Sequence, residues 1–166
     1  MKKSPREKLL ERWTYETYLA HCRAKEEKNG LLSHKQVMQL QILFAERAGK
    51  CKHCGSTDNL TADHIFPVVF LKMLGYPAER MFREEWYQCL CRECNHKKKS
   101  KVEWEHPATY KILQTAMEEK PTWEYATLQK ETAKQRVNDE YRFQKYLGNH
   151  PSIEQIRKDL LTNTLS

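Results

Sequence analysis

Residues 51–67 read CKHCGSTDNLTADHIFP, and residues 89–101 read CLCRECNHKKKSK. The first stretch carries two cysteines, two histidines and two aspartates in seventeen positions. The second repeats the Cys-x-x-Cys spacing, with Cys91 forty positions after Cys51. Two such pairs in a lysine-rich chain point to a metal staple sooner than to disulfides, because paired Cys-x-x-Cys motifs in a reducing compartment are typical zinc ligands. Cys51, Cys54, Cys91 and Cys94 would form a closed four-thiolate tetrahedron, a structural site with no open position for chemistry. Gly55 follows the second ligand and permits the positive φ of a tight knuckle. The 36 residues between the pairs make a long insertion. Doubling a loop costs only ~0.6 kcal/mol of closure entropy, against ~10–16 kcal/mol from structural zinc. Two cysteines are left over. Cys22 lies in a helical pattern and reads as a small buried side chain. Cys89 lies two residues before Cys91, would share a strand face with it, and is the rival for a zinc position.

Outward from this module the chain reads as helical. Ser4 and Pro5 mark a helix start. A loose apolar stripe of Leu9, Leu10, Trp13, Thr17 and residues 19–22 carries that helix to Asn29-Gly30. Ser33 with Gln36 forms a capping box, and Leu32 with Val37 a hydrophobic staple. Val37, Leu40, Leu43 and Phe44 supply the next apolar face, closed by Gly49. Beyond Lys101, Pro107, Pro121 and Pro151 punctuate helices predicted at about 107–119, 122–147 and 152–163. The fold class is therefore α+β and mostly helical: a small zinc-stapled module at 50–101, flanked by an N-terminal helical segment (1–49) and a C-terminal helical extension (102–166).

The 166 residues hold 29 Lys and Arg against 22 Asp and Glu, a formal charge of +7. That balance favours a polyanionic partner, since neutralised phosphates release counterions. No apolar run approaches the ~18 residues of a membrane span. The start MKKSPREKLLERW has basic residues but no apolar core, so no signal peptide is expected. The expected compartment is cytoplasmic, with no membrane partner.

A second set of groups lies between the cysteine pairs. LTADHIFP starts as a strand and carries Asp63 and His64 side by side. Neighbours on a strand face opposite ways, but at a strand end both can address one site. Asn95 follows Cys94 and is read as opening a short helix through Lys98. Asp63 and Asn95 offer oxygen donors suited to a hard cation such as Mg²⁺. A near-neutral imidazole at His64 can deprotonate water. Arg92, Lys97, Lys98, Lys99 and Lys101 form a basic strip at the same place. The plain alternatives are a hydrogen-bonded structural histidine and a solvated lysine face.

Taken together, Cys51-x-x-Cys54, Asp63-His64-Ile65-x-Pro67 and Leu90-Cys91-x-x-Cys94-Asn95-x-x-Lys98 resemble the zinc-containing HNH endonucleases of the ββα-metal superfamily. The resemblance covers roughly residues 51–100. It implies metal-dependent hydrolysis of nucleic-acid phosphodiesters, with structural Zn²⁺ on the four cysteines and catalytic Mg²⁺ or Mn²⁺ on Asp63 and Asn95. His64 is then the general base, and Asn95 takes the last motif position, as in the Asp-His/Asn branch typified by phage junction-resolving enzymes. Lys98 matches the lysine that follows, with phosphate as its expected contact. Two departures stand out. Trp86 occupies the place of the middle motif Asn, leaving Gln88 as the candidate brace for the histidine-bearing loop. The insertion VVFLKMLGYPAERMFREEW is longer than the minimal loop and reads as packing, or as a DNA-facing element through Arg80 and Arg83. His53 and His96 are weaker site candidates. Expected partners are DNA and, through the C-terminal helices, a partner protein or a second copy. A free phage or intron-type nuclease and the nuclease subunit of an anti-phage assembly fit equally. A zinc-ribbon module that binds nucleic acid without cutting it is the alternative.

Overall fold

The structure is a computed structural model, and it describes residues 1–73, 80–99 and 101–119. Along the chain run α1 (Pro5–Arg12), α2 (Tyr15–Asn29), α3 (His34–Ala48), β1 (Leu60–His64), α4 (Val68–Met73), β2 (Tyr87–Cys91), α5 (Arg92–Lys98) and α6 (Thr109–Glu119). β1 and β2 pair as a two-stranded antiparallel sheet. The α+β class expected from the sequence, mostly helical, is what the chain adopts. Two compact units divide the described residues: 1–63 with 80–98, and 64–73 with 99 and 101–119.

In the first unit, three capping boxes set the helix starts. Ser4 and Ser33 cap α1 and α3 as the sequence predicts. The single helix expected from Pro5 to Asn29 is instead two. The chain leaves helical geometry at Trp13 and Thr14, and Thr14 caps α2. Thr14 Oγ1 accepts from the Thr17 backbone N–H at 3.2 Å, and Thr17 Oγ1 accepts from the Thr14 N–H at 3.1 Å. A Thr in the place usually held by Glu or Gln satisfies the same orphan donors, so the break carries no conventional signature. Gly49 ends α3 in the left-handed region at φ 76°, its N–H returning to the Ala45 carbonyl at 3.1 Å.

Val37, Leu40, Leu43, Phe44 and Ala45 line the buried face of α3, and Tyr15, Tyr18 and Cys22 that of α2. An aromatic cluster ties both helices to β2. Tyr15 meets Phe44 edge-on at 6.1 Å, and Phe82 stacks on Tyr87 at 4.8 Å. Leu32 and Val37 are both buried, as a hydrophobic staple requires. All five residues of β2 are buried. Tyr87 and Cys89 turn toward α3, where Gln41 Nε2 donates to the Tyr87 hydroxyl at 3.2 Å and the Cys89 thiol approaches the Ala45 carbonyl at 3.8 Å. Gln88 and Leu90 occupy the opposite face, a division that follows from the two-residue period of a strand. Arg80 and Arg83 pack on the protein: Arg80 Nε donates to the Leu32 carbonyl at 3.1 Å, and the Arg83 guanidinium lies 4.9 Å over the Trp86 ring.

In the second unit, Ile65, Phe66, Val69, Phe70 and Leu71 are buried, with the Phe66 and Phe70 rings 6.0 Å apart. The helix expected at 107–119 is α6, whose Ile112, Leu113 and Ala116 are buried. Its first residue, Thr109, is buried and donates through Oγ1 to the Glu103 carbonyl at 2.6 Å. The helices expected at 122–147 and 152–163 lie outside the described residues.

Burial pushes the Tyr87 phenol up to about 12 from 10.0, although the Gln41 hydrogen bond opposes it. A raised folded-state pKa stabilises the fold below the unfolded value, and that contribution is lost as pH rises through the folded value. The melting temperature should therefore fall between pH 10 and about 12, and Tyr87→Phe should flatten that fall. Thermal denaturation followed by circular dichroism across this range checks it; an unchanged slope in Tyr87→Phe would assign the loss to other groups.

Candidate functional site

The first cysteine pair sits on a knuckle. The Cys51 N–H donates to the Ser56 carbonyl at 2.8 Å, and the Gly55 N–H returns to the Cys51 carbonyl at 2.9 Å. Gly55 has φ 76°. Nothing lies within 4 Å of where its Cβ would stand, so the requirement for glycine is conformational and not steric. Lys52 N–H donates to the Cys89 carbonyl at 2.8 Å, and Arg92 N–H to the Asn59 carbonyl at 2.8 Å. These two bonds fasten the knuckle to the middle of β2 and the lead-in to β1 to the start of α5. The second pair arrives from Cys91, the last residue of β2, and Cys94, in the first turn of α5. The helix starts at Arg92 and not at Asn95, because the turn that places Cys94 is itself helical. The Cys94 N–H points at the Cys91 sulfur, 3.4 Å away.

The four Sγ atoms of Cys51, Cys54, Cys91 and Cys94 lie within 4.8 Å of one another. A tetrahedron with zinc–sulfur bonds of ~2.3 Å has edges of about 3.8 Å, and the Cys54–Cys91 separation is 3.7 Å. The donor set fits a closed, structural metal. Among the described residues no other group of three or more His, Cys, Asp or Glu side chains is so placed. Cys89 takes no part, since its thiol faces α3, and Cys22 is fully buried as expected. His53 and His96 are exposed and outside the cluster.

The thiols divide the charge unevenly. Burial works against ionisation of Cys51, but the backbone N–H groups of Cys91, Cys54 and His53 overcome it and bring the thiol down to about 6. Cys94 is pushed up to about 12, first by its contact with Cys91 and then by burial. Cys54 is raised too: a backbone bond at Ser56 lowers it, and contacts with Cys51 and Cys91 outweigh that. One thiolate suppresses the others. A divalent cation removes the conflict, since the thiolate is the metal-binding form.

Beside this cluster lies a buried acid. Asp63, on β1, is 7% exposed, and its partners Gln88 and Lys98 are 5% and 6% exposed. Asp63 Oδ2 accepts from Gln88 Nε2 at 3.0 Å and forms an ion pair with Lys98 Nζ at 3.0 Å. Lys98, expected to reach phosphate from an exposed strip, is thus held inside. Gln88, proposed as a brace for the histidine-bearing loop, donates to Asp63. Asn95 is half-buried. Its Nδ2 donates to Thr61 Oγ1 at 2.9 Å, and that hydroxyl donates to the Leu90 carbonyl at 2.8 Å. Committing the amide nitrogen leaves the Asn95 carbonyl oxygen as the atom suited to a hard cation. His64 ends β1 and is half-buried.

Periodicity explains the grouping. Thr61 and Asp63 share one face of β1, and Asn95 and Lys98 share one face of α5. Thr61 and the inward turn of Lys98 went unread in the sequence, although both spacings are visible there. The other basic candidates, Arg92, Lys97, Lys99 and Lys101, are all exposed. Lys97 pairs with Glu93 at 3.1 Å, one helical turn away, and Lys99 leaves α5 with φ 52°.

No family model, curated protein or solved structure matches the chain.

Metal analysis should find about one zinc per chain, retained through mild EDTA treatment, as a closed four-thiolate site requires. Cys94→Ser should unfold the module, whereas Cys89→Ser should keep the zinc and the fold. A well-folded Cys94→Ser protein would remove the staple.

Proposed function

We propose that the chain is a metal-dependent endonuclease that hydrolyses phosphodiester bonds of DNA, an HNH-type enzyme. The observation that carries the reading is the placement of Asp63 and Asn95 on facing sides of β1 and α5, beside a four-cysteine cluster, with His64 the next residue along the strand. The exposed Arg92, Lys97, Lys99 and Lys101 suit a polyanion.

Asp63 and Asn95 would hold the catalytic cation through a carboxylate and an amide oxygen. When bound, such a cation supplies stabilisation of the charge that develops on the departing oxygen. His64 takes the proton from an attacking water. The water oxygen bonds to phosphorus, the bond from phosphorus to the 3′ oxygen breaks, and solvent protonates that oxygen. Gln88 and Lys98 hold Asp63 through Oδ2, so the carboxylate does not swing. The competing reading is a zinc module that binds nucleic acid without cutting it. The ion pair that occupies Asp63 favours it, because a carboxylate satisfied by lysine is also a structural element.

Supercoiled plasmid with Mg²⁺ or Mn²⁺ separates the two. His64→Ala should keep zinc, fold and DNA binding and lose roughly 10²–10⁴ in rate, the worth of a positioned base. Asp63→Ala should be partly rescued by raised Mn²⁺, and His64→Ala should not. The rate should climb with pH as the imidazole loses its proton, since only the neutral ring accepts one. Cleavage by His64→Ala at the wild-type rate, or undiminished cutting in excess EDTA, would sink the nuclease reading.

Replacing Lys97, Lys99 and Lys101 together with Ala should weaken binding to every DNA sequence and flatten its salt dependence by roughly one unit of slope per lost phosphate contact. An unchanged slope in a filter-binding or anisotropy titration would mark them as a solvated face.

A further inference from the structure

The Asp63–Lys98 pair has a consequence for when a cation can enter. Lys98 Nζ stands 3.0 Å from Asp63 Oδ2, and its side chain is 3% exposed. Asp63 and Gln88 are equally enclosed. The pair is balanced: one negative carboxylate, one positive ammonium. Gln88 adds a dipole that also points its N–H at the same oxygen. Of the other polar groups on these faces, Thr61 and Asn95 are neutral and already bonded to each other.

We propose that Lys98 is an internal counter-charge that keeps the acid site from holding a divalent cation until a phosphodiester supplies negative charge. The inference rests on the nuclease reading of Asp63 and Asn95. A divalent cation on Asp63 stands within a few ångströms of the Lys98 ammonium, in a region shielded from water. Like charges there repel far more strongly than in bulk solvent. The Asp63 carboxylate brings one negative charge to a pair that Lys98 already balances. A phosphate brings the missing negative charge, and cation and substrate then load together. In the free protein Lys98 occupies the carboxylate instead, which also spares the fold a buried, unpaired charge. Cation binding and DNA binding are coupled through this one lysine, and the coupling is reciprocal: the cation strengthens DNA binding by the factor with which DNA strengthens cation binding.

The test is Mn²⁺ binding to the zinc-loaded full chain, read by electron paramagnetic resonance of free Mn²⁺ with and without a DNA duplex. The DNA arms carry His64→Ala to prevent cutting. Lys98→Gln and Lys98→Met should bind Mn²⁺ without DNA at least roughly tenfold more tightly than wild type, because the repulsion is gone. Lys98→Arg should behave like wild type. DNA should tighten Mn²⁺ binding strongly in the protein with Lys98 and much less in Lys98→Gln. Equal or weaker Mn²⁺ affinity in a folded Lys98→Gln protein overturns the inference. Should neither neutral variant fold, the protein with Lys98 decides alone: Mn²⁺ affinity that DNA leaves unchanged overturns it. Mn²⁺ binding to no protein under any condition overturns the nuclease reading itself, and the role of Lys98 falls with it. Binding that is present but indifferent to residue 98 leaves the nuclease reading standing and removes only the coupling.

Discussion

Four sulfurs from two segments separated by 36 residues come within 4.8 Å of one another, and the rest of the site hangs on that meeting. β1 and β2 are five residues each, and α5 has seven. A lone two-stranded ribbon is marginal in water, and an isolated helix of two turns does not form. Neither element would persist on local propensity. What fixes them is the junction of Cys91 and Cys94 with the Cys51–Gly55 knuckle, which pins the end of β2 and the start of α5 at one point. The Leu60, Leu90 and cysteine contacts around it form a core too small to do this unaided.

The opposite face of β2 is held by a different means. Tyr87 and Cys89 lean on α3, and Phe82, Phe44 and Tyr15 close the aromatic wall. β2 is thus sandwiched between an apolar support and the four-cysteine junction. This is why its five residues, YQCLC, are all buried and show no alternation of apolar and polar side chains. The polar Gln88 survives there because it has a buried carboxylate to serve.

Much of this was legible because the chemistry is dense in sequence. The Cys-x-x-Cys spacings predict the cluster, and the Ser4, Ser33 and Gly49 signals predict helix ends that the structure keeps. The failures have physical causes. Thr14 caps α2 with Thr17 as its reciprocal partner, a substitute for the usual Glu or Gln, and so the break at Trp13 passed as continuous helix. α5 begins at Arg92 because Cys94 must turn back toward Cys91, a demand of tertiary geometry and not of capping. Lys98 sits among lysines, and composition alone paints all of them as solvated. The i,i+3 step from Asn95 to Lys98 and the i,i+2 step from Thr61 to Asp63 contain the correction, but only once β1 and α5 are known to face each other. The helices expected beyond residue 121 fall outside the described residues.

The last link joins the two sites. Cys94 and Lys98 are four residues apart on α5, one helical turn, and so project from nearly the same side of it. The sulfur that anchors the helix therefore also aims the ammonium at Asp63. Breaking a buried ion pair by withdrawing one partner typically costs ~3–5 kcal/mol, since the remaining charge stays desolvated. If the cysteine junction opens, α5 is freed, Lys98 leaves Asp63, and that penalty falls on β1, the strand that ends in His64. Structural stability and the geometry of the acid site are consequently not separable here. The same seven-residue helix closes the cysteine cluster at one end and balances the buried carboxylate at the other.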